Sequence, residues 1–134
     1  MREILFRGQS IDRRKWYEGD LYQTRLKSVF YINYYTEHGD RMAVEVDPET
    51  VGQYTGLTDK NGTKIFEGDI VAGALYWLEQ NKNGVVTFRD GSFGLLWYRG
   101  EAEQFNPFTS MCNVEYEVIG NIHDNPELLK GGVE

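Results

Sequence analysis

The chain has 134 residues, 40% hydrophobic and 14% aromatic, with 15 glycines, 3 prolines and a net charge of −7. That composition excludes global disorder, because there is ample apolar surface to bury, and Cys112 as the single cysteine excludes an intramolecular disulfide. No stretch approaches the ~20 apolar residues of a membrane-spanning helix, and Met1–Arg7 lacks the apolar run of a signal peptide, so a reducing cytoplasm is the expected setting.

Abundant glycine and scarce proline suit many short strands joined by glycine turns. Ile4-Leu5-Phe6 predicts a first strand that stops at Gly8. Trp16–Tyr22 predicts a second, with Gly19 breaking it as a turn or bulge. Ser28–Tyr35, rich in β-branched and aromatic residues, is the clearest strand of the first half. A turn at Glu37-His38-Gly39-Asp40 leads to a return strand, Met42–Val46. Asp47-Pro48-Glu49-Thr50 has the order of a helix start: a capping Asp, Pro at the first helical position, then Glu at the positive end of the dipole. Gly52 limits it to about one turn, over 48–51. Residues 52–64 read as a polar connection with a turn at Asn61-Gly62.

In the second half, Ile65-Phe66 and Ile70-Val71 flank Glu67-Gly68-Asp69. Gly84–Phe88 and Ser92–Trp97 flank Asp90-Gly91, a hairpin signal because a type I′ turn needs φ > 0 at both central positions. Residues 72–83 and 99–112 read as long loops, the second with Asn106-Pro107 and room for one helical turn. Val114–Ile122 is the last strand, Asn125-Pro126-Glu127 starts a short helix over 126–130 capped by Asp124 or Asn125, and Gly131-Gly132 begins a frayed tail.

One passage occurs twice. Phe6-Arg7-Gly8, Asp12 and Lys15-Trp16-Tyr17-Glu18-Gly19-Asp20-Leu21 match Tyr54-Thr55-Gly56, Asp59 and Lys64-Ile65-Phe66-Glu67-Gly68-Asp69-Ile70. From the aromatic to the last Asp the spacing is 14 residues in one copy and 15 in the other. Duplication and convergent turn chemistry both fit this pairing. The expected fold is mainly β: a short-stranded twisted sheet, with residues 65–122 as a small, partly open barrel packed on it. It is one domain over 1–134, readable as two related β modules, 1–51 and 52–134.

The chain resembles the YopX family. Arg2–Gly8, Trp16–Asp20, Val51–Leu57, Asp59–Gly62, Glu67–Val71 and Glu117–Leu129 carry the resemblance, in the family's order and over nearly the whole chain, with 24–45 and 72–83 showing no family pattern. The resemblance implies a small soluble protein encoded by a bacteriophage or prophage and acting in the bacterial host cell. It assigns no activity and no functional residue. The run Glu67–Val71, then Gly84–Phe88 and a hairpin, also looks like the opening of small Src-homology-3-type barrels, an analogy of fold alone.

No constellation points to an enzyme. Cys112 has no nucleophile signature around it, and pairing with His38 or His123 as base would need a proximity the sequence does not suggest, so a small buried apolar residue is expected. Two histidines without a cysteine pair cannot build a common structural zinc site, and no Ca²⁺-loop pattern surrounds His123-Asp124, Glu117 or Glu127. Glu18/Asp20 and Glu67/Asp69 read as turn residues, the central glycine breaking the strand geometry that would align each pair. No phosphate-binding glycine loop is present, and no cofactor is expected.

Two surfaces remain. Phe30, Tyr31, Tyr34, Tyr35, Trp97 and Tyr98 are too many for one small core, and Tyr34 and Tyr35 must point to opposite faces of a strand. Tyr31, Tyr34, Tyr35, Trp97 and Tyr98 are therefore the candidate interaction surface. Residues 1–30 carry seven basic and four acidic groups, +3, leaving −10 for the rest. Within that basic third, which includes Arg2, Arg25 and Lys27, the candidate anion contacts are Arg7, Arg13, Arg14 and Lys15. The expected role is a non-catalytic one, binding an unknown protein or a second copy of the chain. The alternative is single-stranded nucleic-acid binding, which the overall negative charge disfavours.

Overall fold

A computed structural model describes residues 2–25, 28–72, 83–108 and 116–131. The described residues form two antiparallel sheets and almost no helix. The first contains β1 (Phe6–Gln9), β2 (Trp16–Gln23), β3 (Phe30–Tyr35), β4 (Arg41–Val46), β5 (Gly52–Thr58) and β6 (Lys64–Phe66), in the order β4-β3-β2-β1-β5-β6. The second contains β7 (Asp69–Ala72), β8 (Gly84–Arg89), β9 (Ser92–Arg99), β10 (Ala102–Pro107) and β11 (Glu117–Asn121), in the order β10-β9-β8-β7-β11. A single 3-10 turn (Pro48–Thr50) and one short helix, α1 (Glu127–Gly131), complete the described elements. None of the described helices is long and apolar enough to cross a membrane. The chain divides into two compact units, Met1–Tyr54 and Thr55–Glu134.

In the first unit, β2 changes partner along its length. Trp16–Gly19 pairs with Gln9–Phe6 of β1, and Asp20–Gln23 pairs with Asn33–Phe30 of β3. The hand-over falls at Gly19, where any Cβ would overlap the carbonyl oxygen of Asn33. Only glycine allows that approach. The expected break at Gly19 is therefore a continuous strand, and the residue is required by a neighbour rather than by a turn. β1 likewise runs through Gly8 instead of stopping there. β4 returns to the end of β1 through a bridge between Ser10 and Val46, with Asp47 N–H donating to the Gln9 carbonyl at 2.9 Å. Ile32 and Val46 are fully buried on the inner face, each contributing about 2 kcal/mol of apolar burial. Asp47 caps the 3-10 turn, its Oδ1 accepting the Glu49 N–H at 3.0 Å.

The second unit is built on Ile65, Val71, Val86, Leu95, Trp97 and Tyr116, with Leu57, Phe108 and Val118 packed against them. Asp90 and Gly91 have φ of 54° and 82° between Arg89 and Ser92, the two-residue hairpin turn expected. Two strands lie where loops were expected. Residues 52–58 form β5 before the Asn61-Gly62 turn, and Ala102–Pro107 form β10 within the region read as a loop. β10 is an edge strand with one neighbour, β9, so it tolerates polar residues and a terminal proline. No closed barrel forms among the described residues; β10 and β11 are the two edges of an open sheet. The last strand is β11, shorter than Val114–Ile122. Residues 73–82 of the first expected loop, 109–112 of the second, Cys112, Val114 and Gly132 lie outside the described residues.

Candidate interaction surface

Strand parity sorts the aromatics. β9 turns Leu95 and Trp97 to one face and Tyr98 to the other. Trp97 is 5% exposed and belongs to the core, with its indole N–H donating to Asn106 Oδ1. It presents no surface, which corrects its place among the candidates. Tyr98, 47% exposed, lies on the opposite face of β9. On β3, Ile32 and Tyr34 share the inner side, while Tyr31 and Tyr35 share the outer one. Tyr31 lies 6.4 Å from the ring of Tyr22, its partner on β2. Tyr34 packs on Tyr17 with centroids 4.8 Å apart, and Tyr35 is 70% exposed.

The basic candidates are held by nearby rings and carboxylates. The Arg7 guanidinium lies 4.9 Å from the centre of the Trp16 ring, and the Lys15 ammonium 5.5 Å from that of Tyr17. Arg14 Nη1 pairs with Asp47 Oδ2 at 2.9 Å. Arg13 is exposed, and its backbone N–H donates to Asp12 Oδ1. These four groups therefore do not form one basic face; Lys15 alone of them joins the aromatic candidates.

The meeting place is a shallow, open groove of about 540 Å³ between Lys15–Glu18 and Tyr34–Glu37. Its cause is the partner change of β2. Pairing between β2 and β3 ends at Asp20 and Asn33, so the start of β2 and the end of β3 separate and leave their side chains lining a gap. Both walls are pinned from below. Fully buried Ser10 exchanges hydrogen bonds with Lys15, its N–H donating to the Lys15 carbonyl and its Oγ accepting the Lys15 N–H. On the other side Thr36 accepts the Asp40 N–H through Oγ1 and the Gly39 N–H through its carbonyl. Trp16, Tyr17, Glu18 and Glu37 were not among the sequence candidates. The usable signal was the repeat itself: Trp16 and Tyr17 occupy the positions of Ile65 and Phe66, which are core residues.

The groove is mixed in charge, with one ammonium, Lys15, against two exposed carboxylates, Glu18 and Glu37. Neither carboxylate has an ion-pair partner among the described residues. Glu18 and Asp20 do share a face of β2, because the strand is regular through Gly19; both are solvent-facing. Their counterparts behave differently. Gly68 has φ of 93°, and Asp69 is buried, its Oδ2 accepting the Phe66 N–H at 2.7 Å.

Asp59 is likewise structural. At 6% exposure, its Oδ1 accepts the N–H groups of Asn61 and Thr63, and its Oδ2 that of Val118, all at 2.9 Å. Burial pushes this carboxyl up. The N–H groups of Val118, Thr63 and Asn61, with the Lys60 ammonium, pull it further down, below its ordinary value of 3.8. Near the C-terminus Asn121 Oδ1 accepts the N–H groups of His123 and Asp124, and the Asn125 carbonyl accepts the Leu128 N–H at 3.1 Å. Among the described residues no group of three or more His, Cys, Asp or Glu side chains converges on a point where a metal could sit.

No curated protein matches the chain. Among solved structures it is similar to the crystal structure of protein EF1440 from Enterococcus faecalis, at 22% identity over 96% of this chain and 99% of that one, with a TM-score of 0.48. The model of the YopX family, described as YopX protein, matches residues 5–130, and the chain belongs to that family.

Proposed function

We propose that the protein is a non-catalytic accessory protein of a phage or prophage, acting in the host cytoplasm by binding another protein through the β2–β3 groove. The observation that carries this reading is the groove itself. It is a pinned gap with a 70% exposed tyrosine, a packed tyrosine pair and two carboxylates without an ion-pair partner among the described residues. Rings held open to solvent are the usual anchors of protein interfaces. The second sheet serves as a scaffold in this reading. Its last strand returns beside its first, which is the order a partly open Src-homology-3-type barrel would have.

Affinity capture from bacterial lysate tests the proposal, using tagged wild-type protein beside Tyr35→Ser and Tyr98→Ser. A partner lost with Tyr35→Ser and kept with Tyr98→Ser is the expected result. A partner retained by Tyr35→Ser would refute the groove as the binding surface. Sedimentation of the same three proteins shows whether the partner is a second copy of the chain.

Single-stranded nucleic acid is the second reading, supported by the cation–ring stacks of Arg7 on Trp16 and Lys15 on Tyr17. Against it stand Glu18 and Glu37 in the groove, Asp47 on Arg14, and the net charge. Oligonucleotide titration at two salt concentrations decides, since phosphate binding weakens steeply as salt rises.

A further inference from the structure

We infer that the occupant of the β2–β3 groove is an arginine side chain presented by a partner peptide. This rests on the groove being the binding surface and names what it takes. The lining combines two chemistries that converge on one ligand. Trp16, Glu18 and Tyr35 lie on the outer face of their strands, and the exposed Tyr35 ring offers a π face there, which attracts cations, while Tyr17 and Tyr34 pack on each other on the inner face. Glu18 stands on the β2 wall and Glu37 just beyond β3, so carboxylates flank the gap on both sides. With Lys15 as the one ammonium, the lining carries a balance of −1, which opposes phosphate or a carboxylate ligand.

A planar guanidinium fits better than an ammonium. It can stack on the exposed Tyr35 ring while its N–H fork reaches a carboxylate. Elsewhere this protein builds that same combination internally. Arg89 lies 5.4 Å from the centre of the Phe105 ring while its Nη1 contacts Glu103 Oε1 at 2.6 Å. The groove supplies the ring and the carboxylates without the arginine. Lys15, seated on Tyr17, leaves the Tyr35 side as the vacant ring and acts as a like-charged neighbour to any incoming cation.

The test is an NMR titration of the full chain, following the Trp16 indole N–H and the backbone amides of Tyr35, Thr36 and Glu37. The probes are three blocked tripeptides: Gly-Arg-Gly, its neutral isostere with citrulline in place of arginine, and Gly-Glu-Gly. The arginine peptide should shift these signals saturably, citrulline should bind at least about five-fold more weakly, and the glutamate peptide should shift nothing. Glu18→Gln and Glu37→Gln should each weaken the arginine peptide by roughly two- to five-fold, the size of a partly exposed ion pair. Lys15→Gln should strengthen it by a similar factor. All three sites are exposed, so folding is not at risk, and the citrulline comparison needs no variant.

Equal binding of arginine and citrulline, or weaker binding in Lys15→Gln with stronger binding in the glutamate variants, would overturn the inference. If Gly-Glu-Gly shifts the groove signals and arginine does not, the occupant is wrong and the groove stands. The same conclusion follows if a captured partner depends on Tyr35 while arginine has no effect. A partner insensitive to Tyr35→Ser, together with no response to arginine, removes both the groove and its occupant.

Discussion

The two copies of the repeated passage fold to the same beginning and different ends. Each starts as a strand, a polar turn and a second strand: β1 into β2, and β5 into β6. After that, Glu18-Gly19-Asp20 continues as extended strand, whereas Glu67-Gly68-Asp69 turns the chain sharply into β7. Asp12 and Asp20 face solvent; Asp59 and Asp69 are buried acceptors of backbone N–H groups. Trp16 and Tyr17 line an open groove; Ile65 and Phe66 are in the interior. One residue pattern thus serves display in the first copy and construction in the second. What separates them is where each carboxylate and ring finds partners, and that is set by tertiary neighbours.

Substitutions at matched positions sharpen the contrast. The largest effect is expected at Gly19, where a methyl group must displace the Asn33 backbone. Gly19→Ala should cost about 3 kcal/mol or more in urea unfolding and loosen the β2–β3 pairing in hydrogen exchange. Its counterpart fails for another reason: Gly68→Ala forces a side chain to φ of 93°, costing about 1–2 kcal/mol with pairing elsewhere intact.

Asp59 against Asp12 comes next and adds a pH signature. Asp59→Asn should cost about 2 kcal/mol at pH 7, because three part-buried N–H groups lose a charged acceptor. The folded carboxyl lies below its ordinary value, so the unfolded chain binds the extra proton first and stability rises with pH. That contribution is complete above the unfolded value of about 4 and is lost as pH falls through the lower folded one. Unfolding measured from pH 6 down to 2.5 should therefore show a steeper acid loss in wild type than in Asp59→Asn. Asp12→Asn should stay within about 0.5 kcal/mol of wild type at pH 7, since Asp12 is exposed.

The smallest stability effects belong to the groove. Glu18→Gln, Glu37→Gln and Tyr35→Ser should each stay within about 0.5 kcal/mol of wild type, since these side chains face solvent. A large loss at any of them would mean that the groove is part of the fold's support.

Local chemistry was legible in the sequence wherever one turn decides the backbone. Asp90-Gly91 and Asp47-Pro48 fix their own φ and caps, and both are found as expected. Gly19 misleads because its reason for being glycine lies fourteen residues away, at Asn33. β5 and β10 were hidden because their residues are polar; each is a strand by virtue of the neighbour it pairs with. At the site, Tyr34 and Tyr35 were legible as opposite-facing rings, whereas Trp97 was not legible as core, because Leu95 and Leu96 leave either face of β9 able to be the inner one. The groove was not legible, since it exists only where β2 leaves β3, and no local pattern encodes that change of partner.

The same tripeptide displays in the first copy and builds in the second. Urea unfolding of Asp20→Ala beside Asp69→Ala tests it most directly. A loss of about 2–3 kcal/mol for Asp69→Ala, whose removal orphans the Phe66 N–H, with Asp20→Ala within about 0.5 kcal/mol of wild type, is the predicted result. Equal losses at the two positions would contradict the account.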